Sequence, residues 1–263
     1  MLHRTEGIVL KTFPLGEADL IVTYISPDFG LLKVFAKSPR KIKSRFGSSL
    51  EPLTRSRISF WGKEDAALPK LTQSDIIHPF QLIRENLNCF LKVSEIIELT
   101  INFMPERDAN KKVYSLLLNT LHDFENNSSS PSRNKGVNKI ISYDNLMITH
   151  HKIKFLHFVG YAPKLDACGG CGKSGRSFYI SQGSIICEAC AKGIDFPIRL
   201  SPAALKLYHD LLSWDIFKIK RIKPSNMLLS GLSDIINLHI RYILDKPLKT
   251  ETFICSLSQH FNA

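Results

Sequence analysis

Two hydrophobic periods divide the chain. Up to about residue 79 the apolar positions come in short runs: GIVL, ADLIVTYIS, GLLKVFAK, TRSRISFWGK and ALPKLTQSDII. These runs are rich in β-branched and aromatic residues. Turn formers separate them: Pro14-Leu15-Gly16, Pro27-Asp28-Phe29-Gly30, and a Lys/Ser-rich stretch from 38 to 49. Leu20, Val22 and Tyr24 alternate and so share one strand face. Strands this short and this many predict a small closed barrel of the OB type, and the same pattern admits an SH3-like barrel.

After His78-Pro79 the period lengthens to that of a helix. Ile83, Leu87, Phe90, Ile97 and Ile101 recur on one helical face. Residues 110 to 125 and 140 to 160 continue as helices, and the polar stretch NNSSSPSRNKGVN between them reads as a loop. Ser201 and Pro202 supply an N-cap and a first-turn proline, followed by an apolar face of Leu205, Tyr208, Leu211 and Leu212. A last long helix follows Pro224, with Leu228, Leu232, Ile235, His239 and Tyr242 in one stripe and Pro247 as its stop. The expected fold class is α+β. An N-terminal OB-fold barrel over residues 1–79 precedes an α-helical domain over 80–263, into which a cysteine module over 164–195 is inserted.

That module changes the picture most. Cys168, Cys171, Cys187 and Cys190 form two Cys-x-x-Cys pairs, and the segment between them, with SFYISQGSII, reads as a short hairpin. Zinc prefers four ligands in a tetrahedron, and each Cys-x-x-Cys turn offers two sulfurs on one side of such a site. Gly169, Gly170 and Gly172 keep the first turn uncrowded. A redox pair would explain one Cys-x-x-Cys and not two. Four thiolates close the zinc shell, so the expected cofactor is one structural Zn²⁺ per chain, without an open position for catalysis. Cys89 reads as a small buried hydrophobe. His150, His151 and His157 precede the module but are surplus to a complete site.

Charge points to a polyanion. Lys plus Arg number 35 against 24 for Asp plus Glu, a net charge of +11. Between Leu31 and Phe60 the basic residues are Lys33, Lys37, Arg40, Lys41, Lys43, Arg45, Arg55 and Arg57, with Glu51 as the one acid. Lys33, Phe35 and Lys37 alternate in a strand. A ring between two ammonium groups offers a single strand of nucleic acid a stacking plane and phosphate partners. All nine residues are therefore candidate DNA contacts. The opening residues lack the pattern of a signal peptide, and no apolar stretch reaches membrane-spanning length. A cytoplasmic, nucleoid-associated protein with reduced thiols is expected, without a membrane or small-molecule partner.

The order of barrel, basic loop, helices and inserted cysteines resembles the bacterial RecO recombination mediator family. The matching stretches are EGIVLKTFPLGEADLIVTYISPDFGLLKVFAK, KFLHFVGYAPKLDACGGCG, CEAC and IRYILDKPLKT. The resemblance implies binding of single- and double-stranded DNA, annealing of complementary strands, and help in loading RecA onto SSB-coated strands in recombinational repair by the RecF pathway. It implies RecR and the C-terminal tail of SSB as partners. The acidic, phenylalanine-ended tail would be met by a basic rim drawn from Lys206, Lys218, Lys220, Arg221 and Lys223. The family often carries a glycine after the third strand, where this chain has Ser38-Pro39. No catalysis is expected. Two other classes stay open: a zinc-containing nuclease-like enzyme, for which Glu17/Asp19, Glu64/Asp65 and Glu95/Glu98 are the close acidic pairs, and a transcription regulator. A nuclease needs carboxylates clustered for Mg²⁺, and base readout by the cysteine hairpin would rest on Lys173 and Arg176 alone.

Overall fold

A single long strand organises the N-terminal half. In the computed structural model, which describes residues 1–40, 44–63, 67–128, 137–193 and 196–261, β1 runs over Leu2–Leu15. Its first half pairs with β4 (Arg55–Trp61), from Leu2↔Trp61 to Ile8↔Arg55. Its second half pairs with β2 (Asp19–Ser26), from Ile8↔Ile25 to Leu15↔Asp19, with a bulge between Val9 and Lys11. A bulge bends a strand and increases its twist, which lets one strand serve two partners. β3 (Gly30–Ala36) and β5 (Lys70–His78) complete a closed barrel in the order β1-β2-β3-β5-β4. The parallel β3–β5 contact, Phe35↔Lys70, marks the five-stranded OB topology rather than the SH3-like alternative.

The barrel core follows the predicted alternation. Val22, Tyr24, Leu32, Val34, Ala36, Ile58, Phe60 and Leu71 point inward, and Phe46 and Leu50 plug the cluster. Gly30 is required where it stands. Its φ is +60°, and a Cβ there would lie 2.0 Å from the Asp108 carbonyl oxygen. Ser38 also takes a left-handed conformation, with φ +56°. Glycine reaches that region without strain. Serine is held there by its N–H, which donates to Asp19 Oδ1 at 2.6 Å.

The strand pattern gives way to helices at residue 79, but the chain divides into compact units later. The first unit is Met1–Ser130 and the second Pro131–Ala263. Three helices thus belong with the barrel: α1 (Gln81–Arg84), α2 (Leu87–Phe103) and α3 (Lys111–Ser128). Tyr114 of α3 donates to Glu6 Oε1 at 2.9 Å, while the other Glu6 oxygen accepts from Arg55 at 2.7 Å. This ties α3 to β1 and β4. The buried face of α2 is Cys89, Val93, Ile96, Ile97, Leu99 and Thr100. Cys89 is buried, as expected, whereas Leu87 is 63% exposed.

The second unit begins with α4 (Val137–Phe158). Four short strands follow, β6 (Lys164–Cys168), β7 (Ser177–Tyr179), β8 (Ser184–Ile185) and β9 (Ile198–Arg199), in the sheet order β6-β8-β7-β9. Then come α5 (Pro202–Ser213), α6 (Ile216–Ile219), α7 (Asn226–Leu244) and α8 (Lys249–Phe261). Ser201 caps α5, its hydroxyl accepting from the Ala204 N–H at 3.1 Å. In α7 the buried row is Leu229, Leu232, Ile236, His239 and Ile240, so the expected stripe is right at Leu232 and His239 and wrong at Tyr242, which is exposed. Apolar residues cover more than one row of this helix. Periodicity fixes their spacing, and packing on α4 and α5 selects the row that turns inward. Among the described residues no helix is long and apolar enough to cross a membrane.

α4 carries an unusual buried pair. His150 and His151 are both buried, and neither ring nitrogen of His150 has a hydrogen-bond partner. Burial, with Lys154 adding to it, pushes the His150 pKa down to about 4; burial, aided by His150 and Lys152, takes His151 to about 3. Both folded pKa values lie below the ordinary histidine value, so the unfolded chain binds more protons. Stability is full above about pH 6.5 and falls as pH drops towards about 4, by roughly 1.4 kcal/mol per histidine per pH unit. Urea unfolding of the second unit should therefore steepen its loss of midpoint below neutrality. The variant H150L/H151L should flatten that dependence, and an unchanged slope would exclude the two histidines as its source.

Candidate metal centre and basic barrel face

The four predicted cysteines converge. Cys168 ends β6, Cys171 follows it by one turn, and Cys187 and Cys190 follow β8. Their sulfurs all lie within 4.8 Å of one another. Each knuckle is folded by its own backbone. The Gly172 N–H donates to the Cys168 carbonyl at 2.9 Å, and the Cys190 N–H to the Cys187 carbonyl at 3.0 Å. A Cβ on Gly170 would sit 3.3 Å from Cys190 Sγ, and one on Gly169 only 2.5 Å from Ser184 Oγ. The glycines therefore let the two knuckles close on each other.

The chemistry of the four sulfurs asks for a cation. The Cys187 N–H donates to Cys168 Sγ at 3.3 Å. This bond, the largest cause, holds the Cys168 thiol down at about 6. Cys190 is pushed up to about 12 by hydrogen bonding to Cys171 and Cys187. One sulfur is thus readily ionised while its neighbour keeps its proton, which is what crowded thiols do without a positive charge among them. Zn–S bonds of about 2.3 Å would fit the group with small rotations of the side chains. The Cys171 and Cys187 sulfurs, 3.5 Å apart, join the two knuckles and form no disulfide. The set can hold one metal ion in a closed shell. His150 and His151 lie buried in α4 and are not among its ligands. Cys168 is itself part of the module's core: it clusters with buried Tyr179 and Ile186, and Leu165, Phe178 and Ile185 are buried beside them in its strands.

On the barrel the structure separates what the sequence placed in one run. Lys33 is exposed and Phe35 half-buried on the outward side of β3, Lys37 just after the strand is exposed, and Leu32, Val34 and Ala36 face the core. Lys33 pairs with Glu106. Arg40 is exposed, and its N–H donates to the Ala18 carbonyl in the β1–β2 turn at 3.3 Å. Arg45 is exposed, with its guanidinium 4.9 Å from the Phe46 ring centroid. Lys41 and Lys43 lie outside the described residues.

Arg55 and Arg57 belong to β4, which the strand order separates from β3 on both sides. Arg55 is engaged by Glu6 at 2.7 Å. Arg57 has Glu6 and Asp75 as its cross-strand neighbours. The basic residues therefore do not form one patch. Acidic neighbours offset charge on β4, Glu106 offsets Lys33 on β3, and the open positive charge is that of Lys37, Arg40 and Arg45 after the strand.

The register also shows a row that the sequence reading missed. Phe13↔Ile21, Ile21↔Phe35, Phe35↔Lys70 and Lys70↔Trp61 are successive cross-strand partners. Phe13 and Trp61 are each 59% exposed. The outer surface thus carries aromatic rings on β1, β3 and β4 with a lysine between two of them. Neighbouring strands lie about 4.8 Å apart, so rings two strands apart are spaced for flat ligands rather than for each other. A sequence signal existed: Phe13 shares its parity with exposed Lys11, and Trp61 with exposed Arg57.

In the second unit Lys206, Lys218, Lys220, Arg221 and Lys223 are all exposed. Lys206 is on α5, and the rest lie in and just after α6. Lys220 Nζ sits 6.0 Å from the centroid of Phe217, a ring 73% exposed.

Comparison with known proteins agrees with this architecture. Residues 1–80 match the family model described as recombination protein O N terminal, and residues 142–252 match that of recombination protein O C terminal. The DNA repair protein RecO of Thermodesulfovibrio yellowstonii is 43% identical over 250 residues, covering 93% of this chain and 94% of that protein. The DNA repair protein RecO of Dehalococcoides mccartyi is 31% identical over 97% of this chain and 96% of its own length. That of Syntrophus aciditrophicus is 31% identical over 94% and 93%. With both halves matched, and with the barrel, helices and cysteine group in one order, the chain belongs to the RecO family of DNA repair proteins.

Proposed function

We propose that this chain is a non-catalytic mediator that binds single- and double-stranded DNA, anneals complementary strands and helps load RecA onto SSB-coated DNA. The observation that carries this reading is the outward row of Phe13, Phe35, Lys70 and Trp61 beside exposed Lys37, Arg40 and Arg45. Rings stack on any base and so tolerate sequence, while the basic side chains hold phosphates. A protein that binds two strands this way neutralises their repulsion and leaves their pairing edges available to each other. The four cysteines would hold one structural Zn²⁺, which shapes the module and takes no part in chemistry.

RecR and the SSB tail are the proposed protein partners. Phe217, with Lys218, Lys220, Arg221 and Lys223 around it and Lys206 on α5, offers apolar surface and positive charge to an acidic, phenylalanine-ended tail. Among the described residues the grouped metal-type ligands are the four cysteines and the set His78, His122 and Glu125. Neither is the pair of carboxylate-bound ions that nuclease chemistry uses. The test is annealing of complementary oligonucleotides by the purified protein, with ATP and Mg²⁺ withheld. Acceleration over the spontaneous rate is expected. Acceleration that required Mg²⁺, or strand cleavage, would overturn the reading in favour of an enzyme.

A further inference from the structure

We propose that His78, His122 and Glu125 form a metal site, separate from the cysteines, for a borderline divalent ion such as Zn²⁺ or Co²⁺. His78 is the last residue of β5, and His122 and Glu125 lie three residues apart on α3. Residues at that spacing share one helix face. The face is turned to the end of β5, and one ligand atom from each of the three residues lies within 4.8 Å of the others.

The ligand set and its surroundings both favour such an ion. Two imidazoles and a carboxylate suit Zn²⁺ and its neighbours rather than Mg²⁺ or Ca²⁺, which prefer oxygen alone. Around a tetrahedral ion with bonds of about 2.0–2.2 Å, ligand atoms stand about 3.3 Å apart. His78 Nε2 and Glu125 Oε2 are hydrogen-bonded at 2.5 Å, and a ligand nitrogen of His122 lies within 4.8 Å of both residues' ligand atoms. An ion would displace the proton of that bond and move those two atoms slightly apart.

Phe80 fixes the rings. Its own ring is fully buried and lies edge-on to His78 at 4.4 Å and to His122 at 4.9 Å. The two imidazole centroids are 5.4 Å apart. His78, His122 and Glu125 are each partly exposed, so an ion can enter from solvent and a water can complete its shell. Arg55 acts on His122 as a nearby cation, and Glu6 offsets its charge at 2.7 Å. A bound ion would pin the end of β5 to α3, within the first unit.

The test uses the full chain with its cysteine site already filled with Zn²⁺, titrated with Co²⁺ at neutral pH. One further equivalent is expected, with the weak ligand-field bands of a nitrogen–oxygen site and no sulfur-to-metal charge-transfer band. The variants H122N and E125Q should each lower its affinity by more than about tenfold while leaving zinc content unchanged, since even the loss of an outer-shell partner costs ten- to a hundredfold. Acidification should release the ion, because binding requires neutral imidazoles. E125Q keeps the size of the side chain and decides the matter if H122N does not fold. Saturation without a further equivalent, or a further equivalent that survives in E125Q, would overturn the proposal.

Discussion

Cys168→Ser should strip the chain of its metal and lower the stability of the second unit by at least several kcal/mol, against the ~10–16 kcal/mol that zinc supplies in isolated finger peptides. The expectation rests on how small the module is and on the place of the cysteines in it. Its strands are as short as Ser184–Ile185, and Cys168 is itself buried in the cluster with Tyr179 and Ile186. Without an ion the knuckles face each other as four crowded sulfurs, and the Cys187 N–H holds the Cys168 thiol below its ordinary value. Serine at that position removes a soft ligand and leaves three. Elemental analysis of the reduced protein should find one zinc per chain in the parent and less in the variant. Thermal unfolding should show the second unit melting earlier, and chelation of the parent should reproduce that shift. DNA binding by the barrel should persist, since the cysteines lie in the other unit. Parent protein purified under reducing conditions without zinc, or a variant that melts like its parent, would sink the assignment.

Replacing Lys37, Arg40 and Arg45 together by alanine should weaken single-stranded DNA binding on the order of tenfold or more. The log–log salt slope should fall by about 2, at roughly 0.7 for each phosphate no longer neutralised. These residues are chosen because they are exposed and, among the described residues, form no ion pair. Arg55→Gln should behave differently. That side chain already answers Glu6, so its loss should cost stability and leave the slope nearly unchanged. Trp61→Ala and Phe13→Ala should lower affinity without altering the slope, because stacking releases no counterions. A triple variant with the parental slope would remove the segment after β3 from the DNA surface. The contrast between charge and stacking variants separates binding to phosphate from binding to bases.

Local pattern carried the strands and the grouping of the four cysteines, and it stopped where distant residues meet. Alternation identified the inward side of β2 and β3 because each is a regular strand beside the core. It could not choose between two kinds of barrel, since the choice lies in the pairing of Phe35 with Lys70, far apart in sequence. The same limit misgrouped the arginines. Arg55 and Arg57 are near Arg45 along the chain, yet strand order carries them to another side of the barrel. The convergence of the cysteines was legible because two Cys-x-x-Cys pairs at that spacing are what a four-sulfur group needs. His78, His122 and Glu125 were not legible, because one comes from a strand end and two from a helix, with no spacing to advertise them. Helix phase was readable only where a single apolar row exists. In α7 the neighbouring rows compete, and packing against α4 and α5 decides.

Because β1 is shared between two partners, its halves are completed at different times as the chain emerges from the ribosome. The second half finds β2 almost at once through a tight turn. The first half must wait until Arg55–Trp61 has been synthesised. Until then the edge of Leu2–Gly7, which β4 covers in the finished barrel, stands open. Closing a ring between segments so far apart is entropically slow, and open edges invite pairing with other chains. The barrel is therefore most vulnerable to aggregation in nascent or truncated chains that stop short of Trp61.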